Sequence, residues 1–89
     1  MKADKKSISR KLNIARGQLA GINDMISKDR YCIDISAQIM ATIAILKKVN
    51  QEILESHINS CVRQALENRE DAEEKITEAI SALEKMGRL

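Results

Sequence analysis

The chain has 89 residues, too few to bury a large core alone, so association with further copies is the first expectation. It lacks Pro, Trp and Phe, carries one aromatic residue (Tyr31) and three Gly, and is 44% hydrophobic and 31% charged, which excludes a β-sandwich, a barrel or a Gly-rich phosphate loop and describes an all-α protein built of amphipathic helices. The formal net charge of +2 hides an asymmetry: residues 1–16 carry Lys2, Lys5, Lys6, Arg10, Lys11 and Arg16 against Asp4, whereas the last 23 residues are acidic. A basic start suggests contact with a polyanion, although a simply solvated face would look the same.

The first helix is expected over about residues 7–26. Ile8, Leu12, Ala15, Leu19, Ile22 and Ile26 alternate at spacings of four and three, the pattern of a helix packed along a narrow seam. Ser7 is a suitable N-cap. Gly17 and Gly21, four residues apart inside this helix, each cost about 1 kcal/mol relative to Ala, which points to a close helix approach at that face.

The polar run Ser27-Lys28-Asp29-Arg30 ends the first helix, and a long second helix follows over about residues 32–66. Ile35, Ile39, Ile43, Leu46, Val49, Ile53 and His57 form its main stripe, and Ile33, Met40, Ala44 and Ile45 widen the apolar face. Such a helix runs about 50 Å at 1.5 Å per residue, longer than a small globule is wide, so its ends need a partner chain for burial. A third helix is expected over about residues 70–86, marked by Ala72, Ile76, Ile80 and Leu83, with Gly87 as its stop. The whole chain, 1–89, reads as one domain.

No signal peptide or membrane span can be recognised, which points to a cytoplasmic protein whose cysteines are reduced thiols or ligands. No nucleophile and base pair, carboxylate dyad or cofactor loop suggests an enzyme. Chemistry concentrates instead in Cys32, His57 and Cys61, which include the only His and both Cys. His57 and Cys61 stand at i, i+4 on one helix face, close enough to share an ion. Cys32 lies about 37 Å from His57 along a continuous helix, so a single chain cannot close the site. An antiparallel pair of long helices, with its two-fold axis near residues 45 and 46, would bring Cys32 of one chain to His57 and Cys61 of the other and create two equivalent sites per dimer. Two thiolates and an imidazole form a soft, three-coordinate set suited to Cu(I); Zn would want a fourth ligand and Ni(II) more nitrogen. From the residues alone, a buried Cys, a helix-surface His and a loop Cys with no metal remain an open alternative.

The stretches RGQLAGINDMI (16–26), YCIDISAQI (31–39) and ILESHINSCV (53–62) together resemble the copper-sensing operon repressor family (CsoR/RcnR), over a span from about Lys5 to Leu83. The resemblance implies an all-helical bacterial repressor: a three-helix protomer, an antiparallel dimer and a homotetramer, with Cu(I) held by Cys32 of one protomer and His57 and Cys61 of another. With no further histidine, the chain resembles the copper branch rather than the nickel or cobalt sensors. The resemblance also implies that Tyr31 and an acidic group on the third helix support the metal-bound imidazole. The family's glutamate position is Thr77 here, leaving Glu74 or Glu78, each within one helical turn, to substitute.

There is no helix-turn-helix, zinc finger or basic zipper, so operator DNA would be met by a surface summed over the oligomer. The resemblance places that surface on the first two helices, with Lys11 and Lys48 foremost and Arg10, Arg16 and Lys47 in support. The expected function is a Cu(I)-responsive repressor whose metal-free tetramer binds the operator and whose metal-bound form releases it. The alternatives are a thiol or persulfide sensor of the same fold, which would need Cys32 and Cys61 but not His57, and another metal specificity.

Overall fold

The computed structural model describes residues 1–68 and 72–88, with the side chains of Ala65, Leu66, Asn68 and Ala72 left aside. Three α-helices make up the described chain: α1 (Lys5–Ser27), α2 (Cys32–Asn68) and α3 (Ala72–Met86). This is the all-α, three-helix chain with a long central helix that the spacing predicts. The expected third-helix residues 70 and 71 lie outside the described residues. No described helix is long and apolar enough to cross a membrane.

The chain divides into two compact units, one of Lys5–Val49 and the other of Met1–Asp4 with Asn50–Leu89. The Lys5–Val49 unit is a helical hairpin of α1 and the first half of α2. Thr42, only 4% exposed, donates its hydroxyl to Gln18 Oε1 at 2.8 Å, with the Gln38 carbonyl of its own helix at 3.2 Å. A buried hydroxyl without a partner would be destabilising, so this bond fixes the register of the two helices as well as joining them.

The hairpin turn is a Schellman motif. Arg30 N–H donates to the Met25 carbonyl (3.0 Å) and Asp29 N–H to the Ile26 carbonyl (3.1 Å), while Asp29 takes the left-handed conformation with φ 51°. Glycine usually fills that position because a Cβ is strained there; aspartate is among the few side chains that tolerate it. The Tyr31 carbonyl then accepts the first bond of α2, from Ile35 N–H at 3.1 Å. Asp34 in the first turn of α2 complements the positive end of the helix dipole.

Three details of α1 differ from the sequence expectation. The helix starts at Lys5, directly after Asp4, so Ser7 is inside it and accepts a hydrogen bond from Lys11 Nζ (3.1 Å) instead of capping. The inward stripe is Ile8, Ala15 and Ile22, flanked by half-buried Lys11, Gln18 and Met25, and Leu12, Leu19 and Ile26 are exposed. Gly17 and Gly21 are helical, but a Cβ added at either would meet nothing within 4 Å, so no close approach of another helix occurs there within the chain.

In the other unit, the second half of α2 runs antiparallel to α3, and the Asn50 side-chain amide donates to Met86 Sδ at 3.0 Å. Cys61, Ala79 and Met86 are buried here, with Ile53, Leu54, Ile58, Ile76 and Leu83 half-buried. The inner stripe of α3 is therefore Ile76, Ala79, Leu83 and Met86, and Ile80 turns outward. The helix ends at Met86 as expected, with Gly87 N–H still donating to the Leu83 carbonyl at 3.1 Å.

Candidate metal centre and nucleic-acid interface

α2 carries all three expected metal ligands. His57 and Cys61, one turn apart, project from the same face, with Nε2 and Sγ 3.7 Å apart. Ligands about 2.0 Å (nitrogen) and 2.3 Å (sulfur) from a common ion, separated by this distance, subtend about 120° at it, the angle of a trigonal site. The pair thus fits a shared soft metal without rearrangement. Cys61 is 3% exposed, while His57 is exposed.

Cys32 is the first residue of α2, exposed, and part of the Lys5–Val49 unit. Among the described residues no group of three or more His, Cys, Asp or Glu is positioned to hold a metal ion. His57 and Cys61 are brought together, then, and the third donor is not supplied beside them by described residues of the same chain. Both cysteines are free thiols.

Tyr31 caps the start of α2 through its backbone carbonyl, and its ring is 67% exposed. Glu74 and Glu78 are exposed on α3, on either side of Thr77, whose hydroxyl donates back to the Glu73 carbonyl at 2.8 Å. Thr77 is neutral, so toward a ring N–H it offers a hydroxyl oxygen without the negative charge that a carboxylate would bring.

All five expected DNA-contacting cations fall in the Lys5–Val49 unit. Arg10, Arg16 and Lys48 are exposed; Lys11 and Lys47 are half-buried, and Lys11 is engaged with Ser7. Arg10 lines a groove of about 690 Å³ on α1 together with Lys5, Lys6, Ser9, Asn13 and the exposed Ile14, so the cations on this face extend one turn further toward the N-terminus than the expected set. Apart from Ile14 the residues recurring on that face are polar, a signal the sequence held but that a search for apolar stripes passes over.

The chain belongs to the metal-sensitive transcriptional repressor family, whose model matches residues 4–85, and the three helices with an imidazole and a thiol one turn apart on the central one are consistent with that class. Within that family its sequence sides with the copper-sensing branch. The copper-sensing transcriptional repressor CsoR of Bacillus subtilis (strain 168) is 38% identical over 82 residues, covering 92% of this chain and 80% of the relative. The copper-sensing transcriptional repressor RicR of Mycobacterium tuberculosis (strain ATCC 25618 / H37Rv) is 35% identical over 85 residues, covering 94% and 88%. Among solved structures, the nickel-responsive transcriptional regulator InrS superposes with a TM-score of 0.81 at 23% identity, covering 97% of this chain and 96% of its own, a likeness of fold alone. The family consists of transcriptional repressors rather than enzymes.

Proposed function

We propose that this repressor responds to Cu(I): its metal-free form binds operator DNA, and Cu(I) held by Cys32, His57 and Cys61 releases it. The observation that carries this is the His57–Cys61 pair, preset at 3.7 Å with a nitrogen and a sulfur donor. Cys32, the first residue of the helix that carries His57 and Cys61, would complete the set from a second protomer, a reading its distance along α2 supports. Two thiolates and one imidazole favour a soft monovalent ion over Ni(II), and relatives named for copper sensing agree with that preference.

The antiparallel dimer that this site demands has a surface to form on. Ile33, Ile39, Met40 and Leu46 on α2 and Leu12, Leu19 and Ile26 on α1 are exposed in the single chain. Large side chains left in water on a domain this small mark a surface meant for association, and a second copy, then a pair of dimers, would bury them. The 1–89 chain acts as one sensing and DNA-binding domain, with Arg10, Lys11, Arg16, Lys47 and Lys48 meeting phosphates. The two protons displaced from the thiols on binding Cu(I) make each site one charge more negative. The rest of the switch is a change in helix packing around the site, with Tyr31 and Glu74 or Glu78 orienting the imidazole. As a repressor of DNA, the protein acts in the cytoplasm.

The test begins with an operator selected from random duplexes by the metal-free protein. Cu(I) is added without oxygen while DNA binding is followed by fluorescence anisotropy, and polysulfide is added in parallel. The expected result is release of the wild-type protein by Cu(I), abolished in His57→Ala. Retention of the copper response in His57→Ala, with release by polysulfide through the two thiols, would overturn the copper assignment.

A further inference from the structure

The Met1–Asp4 and Asn50–Leu89 unit contains a second polar feature, separate from the metal ligands: a cleft of about 430 Å³ bounded by Lys2 and by one face of α2. We propose that this cleft is an oxyanion site that takes phosphates of a nucleic-acid backbone. The inference extends the DNA-binding role proposed above to a part of the chain outside the five cations assigned to it.

Two cations, Lys2 and Arg63, stand in the cleft wall against a single carboxylate, Glu67. Neither cation forms an ion pair among the described residues. Between them Ser56, Asn59, Ser60 and Gln64 present hydroxyls and carboxamides, the neutral side chains that accompany Lys and Arg in contacts to phosphate oxygens. A cleft meant for a metal would show the opposite balance, with carboxylates, imidazole or thiolates facing inward.

The wall follows one face of α2. From Ser56 to Glu67 its residues recur at three and four, so they form one stripe along α2, about 16 Å long at 1.5 Å per residue. A single free phosphate would reach only part of that stripe, whereas phosphates along one strand of a duplex advance about 3.4 Å each and would follow it. Ser56 and Ser60 directly precede His57 and Cys61, about 100° around the helix, so the phosphate stripe and the ligand pair share one rigid segment.

The experiment uses the metal-free full-length protein and a mixed-sequence DNA duplex, with affinity measured from low to moderate salt. Each of Lys2→Gln and Arg63→Gln should lower the slope of log affinity against log salt by about 1, with Cu(I) stoichiometry unchanged. Glu67→Gln should tighten binding, a gain that an unfolded variant cannot mimic. In a parallel arm, inorganic phosphate is titrated and the Ser60 and Arg63 NMR signals followed. Saturable shifts with an unaltered DNA slope would support the oxyanion site and assign it to a free phosphate compound. Wild-type slopes in both variants together with no shift on adding phosphate would overturn the proposal. Because the duplex has no particular sequence and no copper is present, that failure is distinct from failure of copper-triggered release.

Discussion

A donor set divided between protomers makes a stoichiometric prediction that a set within one chain cannot imitate. Consider one chain carrying Cys32→Ser and another carrying His57→Ala with Cys61→Ser. A homodimer of the first lacks Cys32 at both sites, and a homodimer of the second has only that cysteine at each. Neither retains a three-donor site. In a mixed dimer both lesions fall on one site, which loses every ligand, while the other keeps Cys32 from the second chain and the 3.7 Å His57–Cys61 pair from the first. Unfolding the two chains together in equal amounts and refolding them makes half of the dimers mixed, each with one site of two, so the mixture should regain about one quarter of the wild-type copper capacity. The assay is anaerobic Cu(I) titration against a chromophoric chelator strong enough to strip ion from two-donor remnants. Recovery at that level supports the divided site; a mixture no better than its separate components would refute it.

Other outcomes follow from particular contacts. Thr42→Val removes the donor to Gln18 Oε1 and should lower stability by about 1 kcal/mol in urea unfolding at fixed protein concentration. Replacing Gln18 with Leu as well should recover most of that loss, because no buried acceptor is then left unmet. At the hairpin turn, Asp29→Gly should raise the thermal midpoint and Asp29→Val should lower it, each by an amount corresponding to about 1 kcal/mol, since φ 51° suits glycine and penalises a β-branched side chain. Met40→Asp or Leu46→Asp, placing a charge on the exposed apolar face of α2, should shift sedimentation toward smaller species and weaken Cu(I) binding together. Lys48→Gln should lower the salt slope of DNA binding by about 1 without altering copper stoichiometry.

Helix count and order were legible in the spacing of Ile, Leu and Ala, and the turn in Ser27-Lys28-Asp29-Arg30, because amphipathic periodicity and local turn chemistry need no knowledge of distant residues. Which apolar residues turn inward was not. Ile8, Ala15 and Ile22 repeat every seven and satisfy two seams equally well; Leu12, Leu19 and Ile26 complete one, while Lys11, Gln18 and Met25 complete the other. The hairpin takes the second, since the stems of long polar side chains can lie along a seam while their heads reach water or a partner, as Gln18 does with Thr42. Gly17 and Gly21 are a related case: they meet no neighbour within the chain, and glycine signals room for a neighbour without saying whether that neighbour belongs to the same chain. The His57–Cys61 contact was fully encoded by four-residue spacing. The polar wall from Ser56 to Glu67 was equally periodic, but became recognisable only once Lys2 was seen to face it.

The two sulfurs of this chain live in unequal surroundings, Cys32 open to water and Cys61 almost sealed. Peroxides and electrophiles attack thiols according to thiolate character and access, so in a chain with no partner over it Cys32 is the more readily reached of the two. In the divided site proposed above, an oxidised Cys32 would silence the site it enters, while the His57–Cys61 couple of the other protomer would stay intact for an undamaged partner. Exchange of subunits would then repair the sensor with no enzyme acting on the sulfur itself.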